Sequence, residues 1–199
     1  MSARILLIRH AAHVELGQKL SGRRRDVALS REGLEQAAIV ADLLGTQPIA
    51  AVYASPRERA WYTARDIAEP HGLEVRIDDG LEEIDFGDWA GKTFVELEDD
   101  PRWHEWNESR GSARCPGGES MGEAVGRAAA ALETIAAEHE GETVAAVSHC
   151  DIIRGAVAHY LGLPLDHLLR FDIDPASVSR LELGNQGGRI VSLNERLYQ

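Results

Sequence analysis

The chain has 199 residues, room for one large domain or two small ones. Apolar residues make up 44% of it, which supports a sizeable core, and no run of 18 or more apolar residues is present to cross a membrane. The net charge of −12 argues against general nucleic-acid binding. That charge is unevenly spread. Residues 1–65 carry 10 basic and 6 acidic side chains, residues 66–123 carry 5 and 17, and residues 124–199 carry 6 and 10. A basic N-terminal third in an acidic chain suits a small anion at a focused site better than a broad polyanion surface. Cys115 and Cys150 make neither a disulfide framework nor a metal-spaced cluster. The first apolar run begins within four residues and shows no signal-peptide pattern, so a cytoplasmic location is expected.

The run Arg4-Ile5-Leu6-Leu7-Ile8 is short, branched and apolar, as a buried strand should be, and it stops at Arg9-His10. A polar loop leads through Arg23-Arg24-Arg25 to Ser30, a plausible helix cap, after which Leu34, Ala37, Ala38, Ala41 and Leu44 recur at helical spacing. Residues 49–54 read as a second strand. In Ser55-Pro56-Arg57-Glu58 the spacing predicts Ser at the cap, Pro in the first helical position and Glu closing a capping box, for a helix to about Pro70. Residues 73–77 read as a third strand. Residues 78–118 are irregular, acidic and tryptophan-bearing, with a short helix expected from Thr93. Ser120 and Glu123 predict a second capping box, opening an Ala-rich helix to about His139. Residues 143–148 read as a fourth strand and 152–161 as the helix after it. Residues 177–183 and 189–193 are expected as strands at the sheet edge. No repeat, low-complexity tract or linker divides the chain, so a single domain over 1–199 is expected, with an irregular cap at about 78–118. Strands alternating with helices predict an α/β fold, a three-layer α/β/α sandwich with a mostly parallel central sheet.

Chemistry-bearing residues follow each predicted strand: Arg9 and His10, then Ser55 and Arg59, then Glu82, Glu83 and Asp85, then Ser148 and His149. In a parallel sheet these sets share one edge, where ligands of open α/β sheets bind. A lone His at a strand end is usually structural, and a lone Arg59 would be a surface salt bridge. The coincidence of four strand ends points to phosphoryl chemistry. A phosphoryl group in transfer spreads charge over three equatorial oxygens. Arg9 and Arg59 can each bond those oxygens, and His149 and the backbone amide of Cys150, at a helix start, add donors. A neutral imidazole with a free ring nitrogen is a competent nucleophile. A carboxylic acid held near neutral pKa by neighbours can protonate the leaving alkoxide, and Glu82, Glu83, Asp85 and Asp88 cluster for that purpose.

These residues resemble the histidine phosphatase superfamily, the phosphoglycerate mutase-like family, over nearly the whole chain. Ile8-Arg9-His10 resembles the opening motif, in which the His becomes phosphorylated. Ser21-Gly22-Arg23, Leu29-Ser30-Arg31-Glu32-Gly33 and Gln36-Ala37 resemble the following loop and helix. Ser55-Pro56-Arg57-Glu58-Arg59-Ala60 with Thr63-Ala64 resembles the second motif. Leu81-Glu82-Glu83 leading to Phe86-Gly87-Asp88-Trp89-Ala90-Gly91 resembles the acid/base segment. Pro116-Gly117-Gly118-Glu119-Ser120 resembles the lead into the long helix, and Val147-Ser148-His149 with Ile153-Arg154 the final motif. The resemblance implies His10 as nucleophile, Glu83 as acid/base and Arg59 as phosphate-binding arginine, with Arg57 a bystander. It implies Ser21, Gly22 and Cys150 at the substrate beside Arg9, Arg59 and His149. The chain departs from the pattern at Ala11-Ala12-His13, where Gly-Glu-Thr or Gly-Glu-Ser is usual, and at Leu16, where an Asn phosphate contact is common. His13 is either a substrate contact or a plain loop residue, and the second is expected. His10-x-x-His13 lacks a suitably spaced carboxylate, so no metal is expected, and no cofactor.

The expected activity is hydrolysis of a small phosphorylated metabolite through a phosphohistidine, by a metal-independent phosphomonoesterase of the histidine acid phosphatase type. No nucleic-acid or membrane partner is expected, and a homodimer is left open. The runner-up is mutase-type phosphoryl transfer, for which Arg23 to Arg25 could hold a second anion. About 24 residues between Gly91 and Pro116 make a short insert for a mutase. Trp103 and Trp106 in that insert either wall the pocket or pack the cap. A third reading is a catalytically idle relative that binds phosphometabolites. Sugar phosphates, phosphoglycerates, a ribazole phosphate and nucleotides all fit as substrates. Beside His149, Cys150 reads as a buried inert thiol.

Overall fold

A computed structural model describes residues 1–196 of the chain. Its sheet is built from β1 (Ala3–Arg9), β2 (Ile49–Ala54), β3 (Val75–Ile77), β4 (Thr143–Ser148), β5 (Val178–Gly184) and β6 (Gly187–Glu195), in the order β3-β2-β4-β1-β5-β6. β3, β2, β4 and β1 run parallel, while β5 lies antiparallel to β1 and β6 antiparallel to β5. The expected sandwich is therefore the observed one, with a correction at its margin. β5 is not an edge strand but sits between β1 and β6, so its residues alternate between core and polar layer.

The helices are α1 (Arg31–Leu44), α2 (Glu58–Ala68), α3 (Phe94–Glu98), α4 (Pro101–Glu108), α5 (Met121–Glu138) and α6 (Cys150–Leu161). Successive residues of β1 point to opposite faces. Leu6 and Ile8 meet Val40, Leu44, Ala64 and Ile67 of α1 and α2. Ile5 and Leu7 meet Leu132, Ile135, Ile153 and Val157 of α5 and α6. Because both faces are covered, the central strands read as continuous apolar runs.

Ser30 caps α1 as expected, accepting from the Gly33 amide at 3.0 Å. The buried stripe of α1 runs through Gly33, Gln36, Ala37, Val40, Ala41 and Leu44, whereas Leu34 and Ala38 face outward. A polar Gln36 occupies the core face because its Oε1 accepts the Ala12 amide at 3.0 Å. β3 is shorter than expected, and α6 begins two residues earlier, at Cys150. Ser120 and Glu123 form the expected capping box on α5, and Thr93 and Glu96 form another on α3.

Residues 78–118 fold into a cap with its own core. Phe86, Trp89, Leu97, Trp103 and Trp106 pack against Met121, Ala124 and Val125 of α5 and Ile152 of α6. Trp89 stands edge-on to Trp103 at 5.3 Å between ring centroids, and Trp89 Nε1 donates to Asp100 Oδ2 at 3.0 Å. The sequence reading missed α4, although Asp100-Pro101 signals it: Asp100 caps it and Pro101 opens it.

Candidate active site

The register of the sheet brings the site together. β1 and β4 pair from Arg4 opposite Thr143 to Arg9 opposite Ser148, so both strands end level. The His10 amide then donates to the Ser148 carbonyl at 2.9 Å, and the Ser55 amide to the Val147 carbonyl at 3.0 Å. His10, Ser55 and His149 therefore leave the sheet side by side. The rings of His10 and His149 stand 5.0 Å apart, nearly edge to face.

The loop carrying His10 is held from behind. The Ala11 amide donates to Thr63 Oγ1 at 3.1 Å, and the Ala12 amide to Gln36. Gly33 lies so close to Ala12 that a Cβ there would collide with the Ala12 carbonyl oxygen. Ala11 and Ala12 are fully packed, so the small residues that depart from the family pattern still make the turn.

The tautomer of His10 is set by this loop. Its Nδ1 faces the Ala11 carbonyl at 2.8 Å, and a carbonyl only accepts, so Nδ1 carries the proton. Nε2 is left with its lone pair, and the Arg59 Nε–H donates to it at 3.2 Å. Burial holds the His10 pKa well below the usual imidazole value, and Arg59, Arg9 and His13 push the same way. The ring is thus neutral, with a bare nitrogen facing the arginine.

Arg59 is the central cation, 1% exposed. Its Nη2 donates to the Gly22 carbonyl at 2.7 Å and to His149 Nδ1 at 3.2 Å. Its Nη1 is buried with no hydrogen-bond partner, as is Arg9 Nε. Burial lowers the Arg59 pKa to about 10, so it stays charged at neutral pH. Buried donors left unsatisfied by the protein are what an anion site needs.

His149 is fully buried. Since Arg59 can only donate, His149 Nδ1 accepts, and the ring proton sits on Nε2, 2.7 Å from Ser55 Oγ. This overturns the expected helix cap at Ser55. α2 starts at Glu58, with Arg57 at the cap position making no side-chain cap bond. Ser55 Oγ serves the imidazole instead and also accepts the Arg57 amide at 3.3 Å. A buried ring N–H has no water alternative, whereas a helix amide near the surface does.

Glu83 lies 3.8 Å from His149 Nδ1 and accepts the Ile84 amide at 2.9 Å. Its pKa rises to about 7, chiefly by burial and then by the nearby Asp151, against the pull of Arg59 and Arg9. The expected carboxylate cluster is a different one from that observed. Glu82 is taken by Arg57 at 2.6 Å, and Asp85 accepts the Gly87 amide, so neither serves the site as an acid. Among the expected cluster, Glu83 alone lines the hollow. The carboxylate that presses on it is Asp151, two residues past His149, which the sequence reading left out. Asp151 occupies the first turn of α6, a placement visible once β4 and α6 are placed.

These groups open on a hollow of about 150 Å³. Arg9, His10, Arg59 and Glu83 line it together with Ser21, Gly22 and Cys150, and Leu16, Leu20, Phe86 and Phe94 add apolar surface. Arg9 also donates from Nη1 to the Ile173 carbonyl at 2.6 Å. Ser21 Oγ donates to Glu15 Oε2 at 2.7 Å, which steadies the loop. His149 stands behind the hollow, reaching it through Arg59. The Cys150 thiol sits by the Ile173 carbonyl, and burial pushes its pKa up to about 11, as an inert thiol requires. His13 is no plain loop residue: it is buried in the wall, its ring 5.4 Å from that of His10. Trp103 and Trp106 pack the cap and do not touch the hollow. Arg23, Arg24 and Arg25 also lie outside it, Arg23 paired with Glu119 at 3.0 Å and Arg24 with Glu15 at 2.7 Å. A larger groove lined by Met1, Glu133, His159 and Tyr160 lies apart and gathers no arginine.

Residues 5–196 match the model of the histidine phosphatase superfamily (branch 1), and the chain belongs to that family. It is 33% identical over 196 residues to phosphoserine phosphatase 1 of Hydrogenobacter thermophilus, covering 96% of this chain and 92% of the relative. It is 36% identical over 193 residues to the bifunctional protein Rv2228c of Mycobacterium tuberculosis, covering 96% of this chain and 53% of that longer protein. The native structure of mycobacterial glucosyl-3-phosphoglycerate phosphatase Rv2419c superposes with a TM-score of 0.86 at 26% identity, covering 98% of this chain and 99% of the other.

Proposed function

We propose that the chain is a phosphomonoesterase that hydrolyses a small phosphorylated metabolite through a phosphohistidine on His10. The observation that carries this reading is the His10 tautomer, which leaves a bare Nε2 among Arg59, Arg9 and Glu83. Nε2 attacks phosphorus while Arg9 and Arg59 hold the equatorial oxygens. His149 acts through the arginine: its Nδ1 accepts the Arg59 Nη2–H at 3.2 Å and so holds the guanidinium in place beside the phosphoryl oxygens. The bond from phosphorus to the ester oxygen breaks, and Glu83 gives that oxygen its proton. Ionised Glu83 next takes a proton from water, whose oxygen attacks phosphorus and breaks the P–N bond. Ser21, Gly22 and Cys150 shape the substrate's seat.

No step needs a metal, and the reading is of a metal-independent, histidine acid phosphatase-type enzyme. It treats residues 1–199 as one domain working in the cytoplasm, with both thiols free. Phosphatase is favoured over mutase because Arg23 and Arg24 are spent on Glu119, Glu15 and Asp26 and on backbone, and none of Arg23, Arg24 and Arg25 lines the hollow. Relatives named for phosphoserine and glucosyl-3-phosphoglycerate support a compact anionic metabolite as substrate.

The test is His10→Ala. Loss of turnover together with loss of acid-labile phosphorylation is expected; retained turnover overturns the scheme. Assaying 3-phosphoglycerate with and without its bisphosphate primer separates phosphatase from mutase, and primer-dependent isomerisation would favour the latter.

A further inference from the structure

Asp151 and Glu83 line the same hollow, yet they share no hydrogen bond, and Asp151 has no place in the scheme above. What holds Asp151 comes from the cap. Arg110, just past the end of α4, donates from Nη1 to Asp151 Oδ2 at 2.8 Å and from Nη2 to Asn107 Oδ1 at 3.0 Å. Its guanidinium lies over Trp106 at 5.3 Å, and the residue is 6% exposed. Arg154, one turn on in α6, adds a longer bond to Asp151 Oδ1 at 3.5 Å. A buried arginine thus reaches out of the cap's tryptophan cluster to a carboxylate that lines the site.

We propose that Asp151, clamped by Arg110, governs through space how firmly Glu83 holds its proton, so that docking of the cap sets the pH range in which the site works. This rests on the reading of Glu83 as the acid. Two negative charges in one partly desolvated hollow repel strongly, because the local dielectric is low. Ionised Glu83 therefore feels whatever charge Asp151 is left with after Arg110 and Arg154 have paired it. The other charged groups facing Glu83 act in the opposite sense. Arg59 of α2 and Arg9 of β1 favour the carboxylate, His149 lies 3.8 Å away, and Arg23 and Arg127 bond the Glu83 carbonyl rather than its side chain. Among these groups Asp151 supplies the repulsion, and its strength is adjusted from the cap. Asp151 and Arg110 are positioning residues that act through Glu83.

The experiment is the pH profile of kcat/KM on an alkyl phosphomonoester such as phosphoserine, corrected for the substrate's own ionisation. Asp151→Asn removes the repelling charge, so the falling limb should move to lower pH by about half a unit or more. Arg110→Met keeps an apolar side chain of similar length but removes the guanidinium and unmasks Asp151, so the limb should move to higher pH. The double variant should follow Asp151→Asn. At pH 5, where Glu83 is protonated, kcat/KM of Arg110→Met, a residue outside the hollow, should stay within about threefold of the parent. A lowered plateau with an unmoved limb, or shifts of the same sign in both single variants, overturns the proposal. Glu83→Gln separates the two levels. If it removes the limb while the other variants leave the limb in place, the acid reading stands and the clamp does not. If the limb survives in Glu83→Gln, the acid reading itself falls.

Discussion

His10 and Glu83 are buried within one hollow and are driven in opposite directions, and both directions serve the chemistry. Burial removes the proton from the imidazole and keeps it on the carboxyl. In the proposed scheme the pair is a neutral nucleophile and a neutral acid, the pairing that general acid catalysis needs at its start. Activity on an alkyl phosphate should therefore hold through mildly acidic pH and fall as pH rises through about 7, when Glu83 loses its proton. Steady-state rates across pH 5 to 9 check this. Glu83→Gln should lower kcat/KM for an alkyl phosphate by roughly 10²- to 10⁴-fold. An aryl phosphate, whose leaving group needs less protonation, should lose less. Equal losses on the two substrates would count against Glu83 as the acid. His149 shows why residue type alone under-describes a role. The sequence supports a phosphate donor, whereas the buried ring accepts from Arg59 and stands behind the hollow.

At the scale of elements, the site depends on how helices are seated behind the strand ends. α1 approaches the nucleophile loop closely enough that its third residue must lack a side chain. Gly33→Ala should push Ala12 away, costing several kcal/mol or displacing His10. Denaturant unfolding and kcat measured together would distinguish these, and a variant unchanged in both would refute the close approach. Gly87, at φ 52°, plays the matching part at the acid loop, where a Cβ would strike the Pro116 carbonyl. Ser120 begins α5 by a reciprocal capping box with Glu123. Ser120→Ala should cost about 1 kcal/mol of stability, read as a shift in the denaturation midpoint without loss of activity. Sequence reading worked at this cap because Ser120 has no competing partner in the site. It failed at Ser55, where the same cap-and-box pattern is present but His149 claims the hydroxyl.

The whole molecule is a sandwich with a second small core perched on its active edge. Trp89, Trp103 and Trp106 fix the cap to α5 and α6, and through Arg110 the cap touches the rim of the site. Trp106→Ala should therefore lower stability by roughly 3–5 kcal/mol and disturb catalysis together, although no tryptophan touches the hollow. Calorimetry with kinetics would show whether the two losses come as a pair. Protonation of Glu83 also bears on the stability of the fold. A carboxyl whose pKa is raised on folding adds stability below its unfolded value of about 4.5 that is lost as pH rises through about 7. Glu83→Gln should thus gain stability over the parent at pH 8, on the order of 2 kcal/mol, and little at pH 4. Melting temperatures at the two pH values test this.

Strand order along the chain, the apolar runs, the capping signals at Ser30, Thr93 and Ser120, and the residues Arg9, His10, Arg59, Glu83 and His149 were all legible in the sequence. They depend on local pattern and on a sheet that carries its strand ends to one edge. Tertiary structure alone decided which nitrogen of His10 bears the proton, which member of the acidic cluster turns inward, that His13 joins the wall, and that Asp151 rather than Asp85 or Asp88 lines the hollow beside Glu83. Those outcomes depend on burial and on distances between side chains far apart in the chain. Burial and Coulomb repulsion are properties of assembled space, and no local spacing encodes them.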